Sequence, residues 1–443
     1  MPDQIIYPFR GLRYDVAKAH DLSLLIAPPF DVITREMQEE LYAREPHNFV
    51  RLELPRDGAT DSETENRYTR AAETLRTWRT EGVLVREEAP ALYLVETEFP
   101  LNGRTWRRRG AFALVRIPEE GEDYVLGHEA TFSGPKADRF QLMRATHAMI
   151  SPVMALCEDV DGRVLSALRA VNGSPDAVAT EADGVAHRVW IVRDKAVTSA
   201  VAKAVGGGPL YIADGHHRFD TARAYRDEMR RAHPDAGADA GFDFALVLLL
   251  SAQDEAVRIR PVHRLASGLE REDVEWVVAR LSERFELRPR PVPPWDQLEE
   301  LLEAEADAGG RVFACYGADG SFAMLSAKQE LLAPSDSPVD QLDVAVLHRV
   351  LLDPLAQRGL EETAPGGAQS RAGRRISYEP DATAAAAGVA RGEYDFAFFL
   401  RPTRVDQVIA VARAGGRTPR KATYFHPKAP AGLVISDFSD EPI

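Results

Sequence analysis

Cysteine is nearly absent: Cys157 and Cys315 are the only two in 443 residues. That excludes a disulfide framework and a zinc–cysteine cluster. Long hydrophobic runs are missing too. The longest, Phe244 to Leu250, falls far short of the roughly 20 apolar residues that span a bilayer. The opening MPDQIIYPFRGLRYD has no basic stretch followed by an apolar core, so no secretory signal is expected. Positive charge is outweighed, with 54 Lys and Arg against 69 Asp and Glu for a net −15. This argues against a protein that coats nucleic acid. It leaves room for an anion pocket, because a few local cations outweigh a global field at short range. The sequence holds no GxxxxGK[ST], no GxGxxG after a strand and no protein-kinase motif set. A cytoplasmic, soluble protein is expected, with neither nucleic acid nor membrane as partner.

What is present is globular composition, 45% hydrophobic and 28% charged. The length implies two or three domains, or one large composite body. No repeat of solenoid period occurs. Residues 1–55 look loop-rich, except that "NFVRLELP" alternates like a strand. Residues 67–81 have helical spacing at Tyr68, Ala71, Leu75 and Trp78. "ALYLVETEF", "RTWRRRGAFALVRI" and "DYVLGHE" read as consecutive strands, with Asn102–Gly103 as a tight hairpin turn between the first two. A helix over 138–147, strands in "SPVMALCE" and "HRVWIVRD" and a helix over 194–205 follow. "FDFALVLLLS" has the apolar continuity of a buried central strand, and "VRIRPVHRLA" is expected to continue that sheet. Further on, 269–305 is helix-rich, "VFACYG" and "FAMLSA" pair as strands, and 341–352 is a helix. Residues 362–374 form a Gly/Pro/Ala/Ser-rich loop, "YDFAFFLRP" is a strand and 403–414 a helix.

The stretch "YIADGHHRFDTARAY" holds the chemistry. An apolar strand precedes it, and Phe219, Ala222, Tyr225, Met229 and Ala232 then recur on one helix face. DGHHR is therefore a strand-to-helix turn. Gly215 permits a conformation that other residues resist, and Asp214 is placed to cap the new helix. Backbone donors at such a turn suit a phosphate, and His216, His217 and Arg218 add side-chain donors. Asp220 is spaced to orient either imidazole. Adjacent helical residues point about 100° apart, so the two histidines are poor joint metal ligands. Asp214 with one histidine remains an alternative metal pair, and a histidine pair that merely caps and solvates the helix end remains another.

Six segments, "PFRGLRYD", "APPFDVI", "NFVRLELP", "GHEATFSGPKADR", "LYIADGHHRFDTA" and "ATYFHPKAPAGLVI", identify the chain as a member of the bacterial family known as domain of unknown function 1015. That membership supplies no activity. "DGHHR" after a strand also resembles a motif of free-serine kinases built on the ParB/sulfiredoxin-like fold. "GHE" at 127–129 is similar to their Pro-His-Glu, with Gly127 in place of proline. Thr418, Pro419, Lys421 and Thr423 resemble their closing Ser-Pro-Lys-Thr-Thr segment, although Arg420 interrupts it and Ala422 lacks a hydroxyl. The resemblance implies an α+β fold of mixed sheets and packed helices. A ParB/sulfiredoxin-like nucleotide-binding core at 121–265 would carry DGHHR. It would be flanked by α/β regions at 1–120 and 266–443, the latter contributing TPRKAT.

The same resemblance implies a kinase that moves a phosphoryl group from ATP or ADP to a small hydroxyl-bearing metabolite, free L-serine first among them. Magnesium is expected from that chemistry. Glu129 is then the base, with His217 and Asp214 in catalysis; otherwise Glu129 is a loop-capping carboxylate. Gly215, His216, Arg218, Lys421 and Thr423 bind phosphate; otherwise the 418–423 segment is a solvated basic loop. Arg139 contacts phosphate or substrate, or else makes a surface salt bridge with little effect on stability. His128 contacts substrate or only packs. Arg264 holds a substrate carboxylate by its two-pronged donors or fixes loop carbonyls. Asp31 and His263 match family patterns without an assignable role. Competing readings are a nucleotide-operated switch, a metal-dependent hydrolase built on Asp214 with His216 or His217, and a scaffold in which the turn is only a cap.

Overall fold

The alternating runs between residues 91 and 117 become one long hairpin. After a short strand β1 (Ile6–Tyr7), strands β2 (Leu92–Leu101) and β3 (Arg104–Arg116) pair antiparallel, with Tyr93 opposite Phe112 and Leu101 opposite Arg104. Asn102 and Gly103 turn the chain with φ of 50° and 70°, the left-handed pair that a two-residue hairpin requires. The computed structural model describes residues 4–18, 21–131, 133–206, 208–237, 239–307, 310–331, 335–359, 361–362 and 375–438. The chain divides into two units, Met1–Arg258 with Pro427–Ile443, and Ile259–His426. The architecture is mixed α+β with several sheets.

In the first unit the hairpin joins β4 (Val125–Leu126), β5 (Val153–Cys157), β6 (Ala177–Thr180), β7 (Ala186–Val192), β8 (Leu210–Asp214) and β9 (Phe244–Ser251). The order is β4-β8-β5-β9-β3-β2-β7-β6, with β1 on β3. This one sheet draws strands from both sides of residue 120. β9 lies parallel to β5 and antiparallel to β3, and all of its residues are buried. A strand covered on both faces reads as a continuous apolar run. Helix α1 (Arg67–Thr80) starts at an Asn66–Thr69 capping box and buries Ala71, Leu75 and Trp78, as its spacing predicts. Helix α2 (Ser133–Thr146) packs against α1 and against α3 (His216–Ala232). Helix α3 buries Phe219, Ala222 and Tyr225, and the face then fades, with Met229 half-buried and Ala232 exposed. The chain's last segment returns to this unit: Ile435 bridges Leu12, Ala431 bridges Ala27, and Ser436–Asp437 pairs with Ala148–Met149.

Four expectations fail. Residues 1–55, read as loop-rich, contain the helix Arg35–Arg44, whose first turn is capped by the Thr34 hydroxyl accepting from the Met37 amide. "NFVRLELP" is a short helix, Val50–Glu53, not a strand. Its buried residues Phe49, Val50, Leu52 and Glu53 follow helical spacing, and the Asn48 side chain accepts from the Val50 amide. "DYVLGHE" yields only the two residues of β4, and Gly127 and His128 follow it outside any strand. "VRIRPVHRLA" does not continue the first sheet. Pro261 interrupts it, since proline cannot donate to a ladder, and β10 (His263–Ser267) belongs to the second unit.

The second unit is a seven-stranded sheet. β11 (Phe285–Pro289), β12 (Val312–Gly317), β13 (Phe322–Ala327), β14 (Glu361–Glu362), β15 (Arg375–Glu379) and β16 (Phe396–Phe399) join β10 in the order β11-β13-β12-β16-β10-β15-β14. "VFACYG" and "FAMLSA" pair as expected. Successive residues feed separate cores. Ala266, Phe313, Leu325 and Phe398 pack on one side, and Leu265, Ala314, Met324 and Phe399 on the other. That is the period-two alternation of a sheet covered on both faces. The 341–352 stretch forms Asp343–Leu347 followed by a π-turn over His348–Leu352. The 403–414 stretch forms Val405–Arg413. The loop read at 362–374 lies, but for Glu362, outside the described residues. No described helix is long and apolar enough to cross a membrane.

Candidate functional site

DGHHR stands where the sequence puts it, between β8 and α3. Gly215 has φ of +90° and occupies the helix N-cap, a conformation that costs a non-glycine residue. Asp214 does not cap the helix, contrary to expectation. Its Oδ2 accepts from the Arg218 guanidinium at 2.5 Å and its Oδ1 from the Lys428 ammonium at 3.0 Å. Two cations thus hold the carboxylate, and they keep its pKa well below the ordinary range despite burial. Lys428 also donates to Asp31 and is raised in turn by the two carboxylates. Arg218 is buried and donates to the Pro152 carbonyl as well.

The two histidines diverge, as adjacent helical residues must. His216 is buried and turns inward. Its Nε2 accepts from the His128 amide at 3.2 Å, so its proton resides on Nδ1, which lies 3.4 Å from Glu129 Oε2. His128 is fully buried, and its ring meets that of His216 edge-on at 4.6 Å. His128 Nδ1 lies 3.1 Å from the Ile212 carbonyl, to which it donates, leaving Nε2 as an acceptor 3.9 Å from Glu129 Oε1. Glu129 is one-third exposed, with a 33% accessible side chain. Its carboxylate therefore stands between two imidazole nitrogens with one side open. Gly127 makes this packing feasible: a Cβ there would sit 2.9 Å from the His216 ring. The Gly127 that departs from the kinase pattern thus has a local steric reason.

His217 turns the other way and is half-buried. Burial lowers its pKa, against the raising influence of Glu129, Asp220 and Asp31. Asp220 accepts from the Thr131 hydroxyl at 2.6 Å and lies within ion-pair distance of Lys136 and Arg223.

Arg139 is buried. It donates to the Glu53 carbonyl at 2.6 Å and to Asp138, and its guanidinium lies over the Phe30 ring. It shares the lining of a small cavity with Arg218, Ser151 and Thr221. In the second unit Arg264 has no exposed surface. It donates to the carbonyls of Val262, Arg420 and Lys421 and, at 3.3 Å, to His348 Nε2. Lys421 carries φ of +52°, and the Thr403 hydroxyl holds the Ala422 carbonyl. Thr423 is buried.

The first unit thus gathers Glu129, His128, Asp214, Gly215, His216, His217 and Arg218; Arg264, Lys421 and Thr423 belong to the second. Sequence reasoning missed Lys428 and gave Asp31 no role. The available signal was a lysine between two prolines in the otherwise apolar "FHPKAPAGLVI". Among the described residues no group of three or more His, Cys, Asp or Glu is arranged to hold a metal ion.

A family model described as a protein of unknown function (DUF1015) matches residues 6–345. The chain belongs to that family. No curated protein matches it. Among solved structures, a free serine kinase mutant in complex with AMP is similar at 15% identity, over 72% of this chain and 95% of that one, with a TM-score of 0.36. A conserved hypothetical protein from Pyrococcus furiosus is similar at 16% identity over 72% and 97%, with a TM-score of 0.34. SbnI with a C-terminal truncation, from Staphylococcus aureus, is similar at 10% over 73% and 87%, with a TM-score of 0.36.

Proposed function

We propose that the protein is a small-molecule kinase. It binds ATP or ADP through the DGHHR turn and transfers the terminal phosphoryl group to a hydroxyl, with free L-serine as the first acceptor to test. The observation that carries this reading is the Glu129 carboxylate, open on one side and 3.4 Å from His216 Nδ1 at the start of α3. An alcohol is a poor nucleophile at neutral pH and needs a base beside it. In the reaction the hydroxyl proton passes to Glu129 and the acceptor oxygen bonds to phosphorus. The bond from phosphorus to the bridging oxygen breaks, and the shortened nucleotide leaves. His216 Nδ1–H steadies the carboxylate before transfer, and His128 Nε2 can accept from it once it is protonated. His217, whose protonation burial disfavours, offers a ring N–H to the phosphoryl oxygens.

Magnesium bound with the nucleotide would neutralise phosphate charge. Such an ion is commonly held by one or two carboxylates plus waters, and Asp220, which with Glu129 acts electrostatically on His217, would be the carboxylate to hold it, leaving Glu129 free to act as base. The ParB/sulfiredoxin-like core is assigned to the first unit on the DGHHR and GHE resemblance. Lys421 and Thr423 belong to the second unit and are given no part in the DGHHR site; a nucleotide-consuming kinase belongs in the cytoplasm.

The test is incubation with ATP or ADP, magnesium and a metabolite pool, with a search for new phosphate esters. Phosphoserine supports the reading. Nucleotide hydrolysis without any ester favours a nucleotide-operated switch.

A further inference from the structure

Lys428 is a part of this cluster that the kinase reading does not use. Its ammonium is nearly buried, with 10% of the side chain accessible, and contacts both Asp31 and Asp214. Three segments far apart in sequence meet at this point: the "PPFDV" loop, the DGHHR turn and the returning chain end. A buried cation of this kind is expensive unless it is fully paired, so its placement has a specific consequence. An aspartate just before a helix is a residue type that folds back to accept from the first helical amides. Asp214 does not do so, because Lys428 takes Oδ1 and Arg218 takes Oδ2. A carboxylate folded back there would occupy the place where a phosphate oxygen has to sit.

We propose that Lys428, backed by Asp31, is a positioning residue that holds the Asp214 carboxylate away from the first turn of α3. This rests on the nucleotide reading for its purpose, though not for its geometry. Lys428 touches no substrate; it acts through Asp214. Among the described residues, removing it leaves Arg218 as the tether, and the freed oxygen turns to the His216 and His217 amides.

The experiment uses the full chain and compares wild type, Lys428→Met and the double variant Lys428→Met/Asp214→Ala. Amide hydrogen exchange is read at residues 216–218, and ADP and ATP are titrated onto each protein. In Lys428→Met the amides exchange more slowly and nucleotide affinity falls, each by roughly fivefold, the factor corresponding to a helix cap. Adding Asp214→Ala reverses both changes, because no carboxylate remains to fold back. A merely structural lysine gives the opposite pattern, with faster exchange in Lys428→Met and additive losses in the double variant. That result, or unchanged exchange, overturns the proposal. Slower exchange with no nucleotide bound by any of the three proteins keeps the positioning role and removes the nucleotide reading. Should Lys428→Met not fold, Lys428→Met/Asp31→Asn neutralises the second carboxylate that the lysine pairs and carries the same comparison with and without Asp214→Ala.

Discussion

At the scale of single residues, the site depends on a carboxylate and on a glycine. Glu129→Gln preserves size and hydrogen bonding and removes the base. Nucleotide affinity should stay within a few-fold of wild type, while phosphoryl transfer falls by at least about 10²-fold. A loop-capping Glu129 instead predicts a loss of roughly 1 kcal/mol of stability with turnover per folded molecule unchanged. Gly127→Ala inserts a methyl group 2.9 Å from the His216 ring. Such overpacking typically costs about 1–3 kcal/mol. Both melting temperature and turnover should drop, and normal values in this variant would remove the close approach from the account. The turn itself was legible: an apolar strand, a glycine free to take positive φ and a helical stripe fix where DGHHR lies. The direction of its side chains was not. Nothing local shows that Asp214 faces a lysine 214 positions away, so a helix cap was the natural expectation.

Elements were legible where one physical signal dominates. The hairpin of β2 and β3 has alternation over its length and an Asn-Gly turn, and β9 has unbroken apolarity. "NFVRLELP" misled because alternation and helical spacing overlap in eight residues, and the deciding fact is the environment of Glu53. That carboxylate is fully buried yet satisfied by the Phe30 amide and the Ser151 hydroxyl, partners that no local pattern reveals. Element β10 supplies a pH prediction. Burial, with Arg264 and Arg260 nearby, lowers the pKa of His263 to about 3. The unfolded chain takes up that proton near pH 6.5, whereas the folded chain does not. The stability contribution is therefore complete above pH 6.5 and is lost as pH falls towards 3. Between pH 6.5 and 5 this amounts to about 2 kcal/mol. Urea unfolding at the two pH values should show a loss of that order, and His263→Leu should reduce it. An identical pH dependence in wild type and variant would contradict the assignment.

At the scale of the whole molecule, the chain end completes the first unit. Pro427–Ile443 brings the bridges to Leu12 and Ala27 and the ion pairs of Lys428. Deleting residues 427–443 should lower the melting temperature of the first unit and abolish nucleotide binding; a truncated protein that melts and binds normally would show that the tail is dispensable. The kinase assignment is tested most directly by product formation. Purified wild-type protein is incubated with L-serine, magnesium and either ATP or ADP, and phosphoserine is measured against nucleotide consumed. One phosphoserine per nucleotide converted is expected with at least one of the two donors. No phosphoserine with either nucleotide, from folded protein, would contradict it.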